Sequence, residues 1–188
     1  MPPGGTEAQA FEASDNDVAP APAHTPAPAV IVVSDAGPLI SLGRLDLIGL
    51  LGALFAKVLV PEAVIRECLA RSSNPDALRI RQALAQGHLV ACPTPLQTLA
   101  GLDAGESAAI VHAQAIGAAV LLDKRAGRQR ALAMGLMVTG TLGVLVRARQ
   151  RNLVGPIAPL IAELRASGQR LSQPVVLHAL AVVGEAAT

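Results

Sequence analysis

A chain of 188 residues and 19.1 kDa hides roughly two thirds of its unfolded surface on folding, so it needs neither disulfides nor a structural metal to hold a core. Its 52% hydrophobic and 15% charged residues exclude a wholly disordered protein, and with Phe11 and Phe55 as its only aromatic residues it lacks the platforms on which single-strand readers stack bases. The net charge of +1 is unevenly spread: residues 1–29 hold Glu7, Glu12, Asp15 and Asp17 and no Lys or Arg, whereas the rest holds 15 basic and 10 acidic residues, a modestly basic body that suits a polyanionic partner without demanding one.

The run from Ala19 to Pro28 alternates Ala and Pro too densely for a helix or a sheet interior. Residues 1–29 are therefore expected to be a disordered tail, with His24 solvated in it, ahead of one domain over 30–188. Val30-Ile31-Val32-Val33 reads as a buried strand that runs into Ser34-Asp35-Ala36-Gly37-Pro38, a strand-to-helix turn with Pro near the first helical turn. Helical spacing covers Leu39–Ser41 and Leu45–Phe55. Lys57–Val60 is a second strand, and Pro61 opens a helix over Glu62–Ala70. Asn74-Pro75 opens another, which Gly87 ends, and His88–Cys92 is a strand.

Asp103-Ala104-Gly105-Glu106 starts a helix running to Ile116. Ala118–Leu122 is a buried strand ending in Asp123, and Ala126–Met134 is helical. Leu136–Val138 is a last short strand. Helices follow over Thr141–Arg149, Pro156–Ala166 and Pro174–Val183, the last containing an apolar stretch, Ala179–Val183, expected to be buried. Short apolar strands alternating with helices predict an α/β fold of three layers, a mostly parallel sheet flanked by helices. Ligands of such sheets sit at the carboxyl ends of the strands, which directs attention to Asp35 and Asp123.

Cys68 and Cys92 form no C-x-x-C pattern and read as two buried thiols. The most apolar stretch, Leu47–Phe55, is far short of the ~20 residues that span a bilayer. The acidic N-terminus has no basic region ahead of an apolar run. A cytoplasmic protein with no membrane partner is expected. His88, His112 and His178 lack metal-ligand spacing and read as structural or solvated.

Four carboxylates occupy positions that a parallel sheet can bring together: Asp35 after the first strand, Glu67 in the helix after the second, Glu106 in the first turn of the helix at Asp103, and Asp123 after the fourth. Each also has a local explanation. Asp35 and Asp123 can cap the helices that follow them, Glu67 can be a solvated helix residue, and Asp103 with Glu106 forms a D-x-x-E capping box. Gathered at one strand edge they would raise one another's pKa values, and a hard divalent cation bound through oxygen relieves that repulsion.

In this order and spacing the chain resembles the PIN-domain family of metal-dependent nucleases, which includes the VapC-type ribonuclease toxins, and in particular a branch of predicted nucleic-acid-binding PIN-like proteins. The likeness covers roughly 30–185. It is carried by Val33-Ser34-Asp35-Ala36-Gly37-Pro38-Leu39-Ile40, Val60-Pro61-Glu62-Ala63-Val64-Ile65-Arg66-Glu67, Leu102-Asp103-Ala104-Gly105-Glu106-Ser107-Ala108-Ala109-Ile110, Leu121-Leu122-Asp123-Lys124-Arg125-Ala126-Gly127-Arg128 and Val138-Thr139-Gly140-Thr141-Leu142-Gly143-Val144-Leu145.

The resemblance implies a PIN-like fold and a Mg²⁺- or Mn²⁺-dependent endoribonuclease that hydrolyses RNA phosphodiester bonds, as the toxin of a toxin–antitoxin pair. It implies Asp35, Glu67, Glu106 and Asp123 as the catalytic carboxylates. Asp35 and Asp123 would be the central metal ligands, Glu106 would complete the shell, and Glu67 would hold or deprotonate the attacking water. RNA as substrate, an antitoxin protein and a homodimer are the implied partners. Lys124, Arg125, Arg128 and Arg130 follow the strand edge and are candidate phosphate contacts, as is Thr141 at a helix N-terminus; an exposed basic helix face and an ordinary N-cap are the bland alternatives. Lys124 stands where relatives often carry a second acid. On its account a PIN-like module that binds nucleic acid or protein without cutting is the alternative function.

Overall fold

The computed structural model describes residues 30–186; the expected tail over 1–29 lies outside the described residues. Five strands form one sheet in the order β3-β2-β1-β4-β5, made of β1 (Ile31–Ser34), β2 (Lys57–Pro61), β3 (Val90–Cys92), β4 (Ala119–Leu121) and β5 (Val138–Thr139). Every neighbouring pair is parallel, as expected for strands read as near-continuous apolar runs covered on both faces. Successive residues serve opposite layers. Val32, Val58, Val60, Ala119 and Leu121 belong to one core cluster, while Val33, Val120 and Leu122 belong to the other.

The larger core is built with α1 (Ala36–Arg44), α2 (Gly49–Leu54), α3 (Glu62–Leu69), α4 (Pro75–Ala85), α7 (Thr141–Gln150), α8 (Ile157–Ala166) and α9 (Gln173–Val182). The smaller is built with α5 (Ala104–Ile116) and α6 (Arg125–Ala133). Ala108, Ala109 and Ala113 bring α5 close to the sheet, so the alanine-rich composition serves a thin, closely spaced layer. Cys68 and Cys92 are buried free thiols, as read from their spacing. Among the described residues no helix is long and apolar enough to cross a membrane.

The last strand, expected over Leu136–Val138, is Val138–Thr139, and two further expectations change. The helix expected over Leu45–Phe55 begins only at Gly49, because Asp46 turns the chain with φ of 59°, a left-handed conformation that Asp tolerates better than most residues. Of the apolar stretch Ala179–Val183, Ala179 and Leu180 are buried whereas Val182 is 43% exposed.

The chain order reverses between β1 and β4, a topological switch point where the carboxyl ends of adjacent strands open a crevice. Asp35 emerges there, its N–H donating to Leu121 O at 3.0 Å.

The far end of the chain is tied down by Glu185. Its carboxylate accepts from Ile157 N–H at 3.0 Å, Ala158 N–H at 2.9 Å and Arg149 Nε at 3.3 Å, thereby capping α8. Desolvation works against its charge, but these donors prevail and hold the carboxyl below its usual range. Glu185→Ala is expected to cost about 1–2 kcal/mol, the worth of a lost cap. Because the folded-state pKa is depressed, that contribution is present above about pH 4.3 and is lost as pH falls through the lowered value. Urea denaturation of both proteins at pH 7 and pH 3 checks it: the difference in midpoint is expected at pH 7 and is expected to shrink at pH 3.

Candidate metal centre

Asp35, Glu67 and Asp103 each place a carboxylate oxygen so that the three lie within 4.8 Å of one another. Asp35 follows β1 and forms the floor, 1% exposed. Glu67 comes from the last turn of α3 and Asp103 from the N-cap of α5, and both stand on the solvent side. Asp35 occupies the N-cap position of α1, yet its carboxylate makes no capping hydrogen bond, so helix capping does not account for it. Its Oδ1 is buried without a partner, an arrangement that costs several kcal/mol for a charged group left alone.

The electrostatics follow from that burial. Desolvation pushes the Asp35 carboxyl up to about 7; the Ala36 N–H moderates the rise, and the Asp103 and Glu67 carboxylates add to it. Glu67 is raised by desolvation and then by Asp103. Burial also acts to raise Asp103, but the Glu106 N–H and Lys124 outweigh it and lower its pKa. Gly105 lies inside the group. A Cβ there would stand 3.0 Å from Glu67 Oε2, 3.1 Å from Asp35 Oδ1 and 3.5 Å from Asp103 Oδ1. Three carboxylates of opposed pKa demands, one orphaned buried oxygen and a helix turn without a side chain fit a hard divalent cation of the Mg²⁺ or Mn²⁺ kind, which takes oxygen ligands.

Of the other carboxylates in the expected ligand set, Glu106 and Asp123 lie outside this trio. Asp103 and Glu106 do form the capping box, with Asp103 Oδ1 accepting from Glu106 N–H at 2.8 Å and Glu106 Oε2 from Asp103 N–H at 3.4 Å. Glu106 is 4% exposed, its Oε1 has no partner, and desolvation, then Asp103, raises its pKa. Asp123 does close a helix N-terminus, but that of α7 rather than α6. Its Oδ1 accepts from Thr141 N–H at 2.8 Å, and its Oδ2 from Thr141 Oγ1 at 2.6 Å and Gln169 Nε2 at 3.3 Å. It remains beside Asp35: a Cβ on Gly37 would lie 3.6 Å from Asp123 Oδ2 and 3.8 Å from Asp35 Oδ2.

Thr141, expected as a phosphate contact, faces Asp123 instead of the open edge. Thr141 is fully buried and gives both its N–H and its hydroxyl to Asp123. Arg128 is half-buried and donates to Leu122 O at 2.9 Å. Arg125 and Arg130 are exposed on α6. Lys124 is hydrogen-bonded to Asp103 Oδ2 and lies 3.9 Å from Glu106 Oε2. Desolvation works to lower its pKa, but Asp103 and then Glu106 raise it.

Asp103 is the residue that sequence reasoning missed as a member of the trio. Its D-x-x-E pattern had a sufficient local explanation, and that explanation holds, but the capping box engages Asp103 Oδ1 with one N–H and leaves further acceptor capacity on the carboxylate.

Gly140 explains how tightly Asp123 is held. A Cβ there would come within 2.7 Å of Asp123 Oδ1, 2.9 Å of Leu122 O and 3.1 Å of an Arg128 guanidinium nitrogen. Backbone cannot yield as a side chain does, so Gly140→Ala is expected to destabilise the fold by about 1–3 kcal/mol, seen as a lower thermal midpoint by circular dichroism.

An all-parallel sheet ordered 3-2-1-4-5 with acidic side chains gathered at its switch point is a three-layer α/β fold of the doubly wound kind. The family model described as DUF3368, PIN domain, matches residues 31–185, and the chain belongs to that family. No curated protein matches the chain. Among solved structures it is similar to a PilT N-terminus domain protein from Sulfolobus solfataricus P2, at 16% identity over 63% of this chain and 93% of that one with a TM-score of 0.48. It is similar also to a domain of a functionally unknown protein from Methanocaldococcus jannaschii DSM 2661, at 16% identity over 60% and 91% of the two chains with a TM-score of 0.44.

Proposed function

We propose that this PIN domain is a Mg²⁺- or Mn²⁺-dependent endoribonuclease that hydrolyses RNA phosphodiester bonds, acting as the toxin of a toxin–antitoxin pair. The observation that carries the hydrolase reading is the buried, partnerless Asp35 Oδ1 facing Glu67 and Asp103. A fold keeps a buried carboxylate oxygen without a donor at a strand edge when something outside the chain completes it, and perturbed carboxylates gathered in this way mark functional sites.

Asp35, Glu67 and Asp103 would hold the cation. Bound there, it would supply Lewis-acid activation of water and neutralise charge on the scissile phosphate. Asp35 fixes the floor of the site from the end of β1. Glu67 stands on the solvent side, where its carboxylate would accept the proton of the attacking water. Asp123, held by Thr141 and Gln169, positions the start of α7 beside Asp35 and keeps that wall of the crevice fixed. The exposed Arg125 and Arg130 would meet the RNA backbone, and such contacts make affinity fall steeply with salt. With no aromatic platform, selection would rest on RNA shape and backbone.

The test is cleavage of a labelled, structured RNA pool in Mn²⁺ by the wild type, by Asp35→Asn and by the wild type with chelator. The expected result is cutting by the wild type alone. RNA binding without cutting, under conditions in which a control nuclease cuts, would point instead to the non-catalytic binding module.

A further inference from the structure

The acidic basin has two halves, and they differ in what they lack. In the first, Asp35 Oδ1, Glu67 Oε2 and Asp103 Oδ1 surround the place where Gly105 has no side chain, and among the described residues none of these three oxygens is in an ion pair. In the second, Asp103 Oδ2 is hydrogen-bonded to Lys124 Nζ, and Glu106 Oε2 lies 3.9 Å from the same nitrogen. The ammonium is anchored from the N-cap position of α6, directly after the short link from β4. It therefore sits on the outer oxygen of the one carboxylate that both halves share.

We propose that Lys124 is a built-in monovalent cation filling the second half of the basin, so that the site takes a single divalent cation at Asp35, Glu67 and Asp103. The inference rests on the reading of those three residues as a cation site. Two opposing considerations decide it. Four clustered carboxylates, with Asp35 and Glu106 each carrying a buried oxygen without a partner, call for more positive charge than one ammonium supplies. A second divalent ion on Asp103 Oδ2 and Glu106 Oε2, however, would meet an ammonium already hydrogen-bonded there, and like charges a few ångströms apart repel strongly even at a surface-like dielectric. One divalent ion and one lysine satisfy both.

Mn²⁺ binding to the full chain, measured by the electron paramagnetic resonance of free Mn²⁺, tests this without reference to activity. The wild type is expected to bind one ion, lost in Asp35→Asn. Lys124→Asp, which exchanges the ammonium for a ligand, is expected to bind two. Lys124→Met, which removes the charge and adds no ligand, is expected to tighten the first ion by about tenfold or more, and it decides the matter if Lys124→Asp fails to fold. Two ions in the wild type, one ion in a folded Lys124→Asp, or an unchanged dissociation constant in Lys124→Met would overturn the role of Lys124 while leaving the cation site standing. Absence of binding in the wild type, or binding that Asp35→Asn leaves intact, would overturn the cation site itself, and the role of Lys124 with it.

Discussion

Asp35→Asn is expected to lower Mn²⁺-dependent RNA cleavage at least about 100-fold, the usual scale for removing one preorganised electrostatic contact from a reacting centre, and at the same time to make the metal-free protein more stable. The two effects share one cause. Asp35 is buried with an unpartnered oxygen, and its carboxyl titrates at about 7 because burial penalises the charge. An acid whose folded-state pKa is raised binds its proton more tightly when folded. Below about pH 4 it is protonated in both states and there is no penalty; as pH climbs from there to about 7 the penalty grows, and above that it is complete. Asn keeps the shape and carries no charge. In chelator at pH 8 the variant is expected to gain roughly 1–3 kcal/mol, part of the relief being offset by the buried amide's own need for partners. At pH 4 the gain should vanish. Calorimetric melts of both proteins at the two pH values read it out, and an equal effect at both would show that the charge at Asp35 is not what the fold tolerates.

Gly105→Ala carries the second large effect, and it separates the site from the fold. Gly105 lies in the first turn of α5 without positive φ, so alanine is conformationally acceptable and improves helix propensity by up to about 1 kcal/mol. Its methyl group would stand 3.0 Å from Glu67 Oε2 and 3.1 Å from Asp35 Oδ1, in the space between the ligands. The expected outcome is a thermal midpoint that does not fall, together with a loss of Mn²⁺ affinity of at least about tenfold, the lower end of what disturbing ligand placement costs. Calorimetric titration with Mn²⁺ reads the affinity. Unaltered binding would mean that the cation does not lie among these three carboxylates.

Much of this arrangement was legible in the residues. The apolar β-branched runs fixed the strands, and the alternation of strands with helices fixed the parallel sheet, because both faces of each strand had to be covered. Asp35 could be placed at once, since the residue following a buried parallel strand lies at the ligand-bearing edge. What the sequence could not show is how side chains far apart in the chain use one another up. Asp123 and Thr141 each looked free to meet a ligand, and folding joins them, with Gln169 arriving from the turn after α8 to complete the bond. Asp103 looked explained by its capping box, and only the placement of α5 against β1 and α3 shows its carboxylate facing Asp35 and Glu67. Lys124 read as a departure from an acidic pattern, while its neighbours in space, Asp103 and Glu106, show a cation placed among acids.

A crystal of the chain grown with Mn²⁺ and measured at the manganese absorption edge tests the central assignment most directly. The predicted result is one anomalous peak bounded by Asp35, Glu67 and Asp103 and contacting Asp35 Oδ1. A peak held instead by Asp123 or Glu106, or no peak at Mn²⁺ concentrations that sustain RNA cleavage, would contradict it.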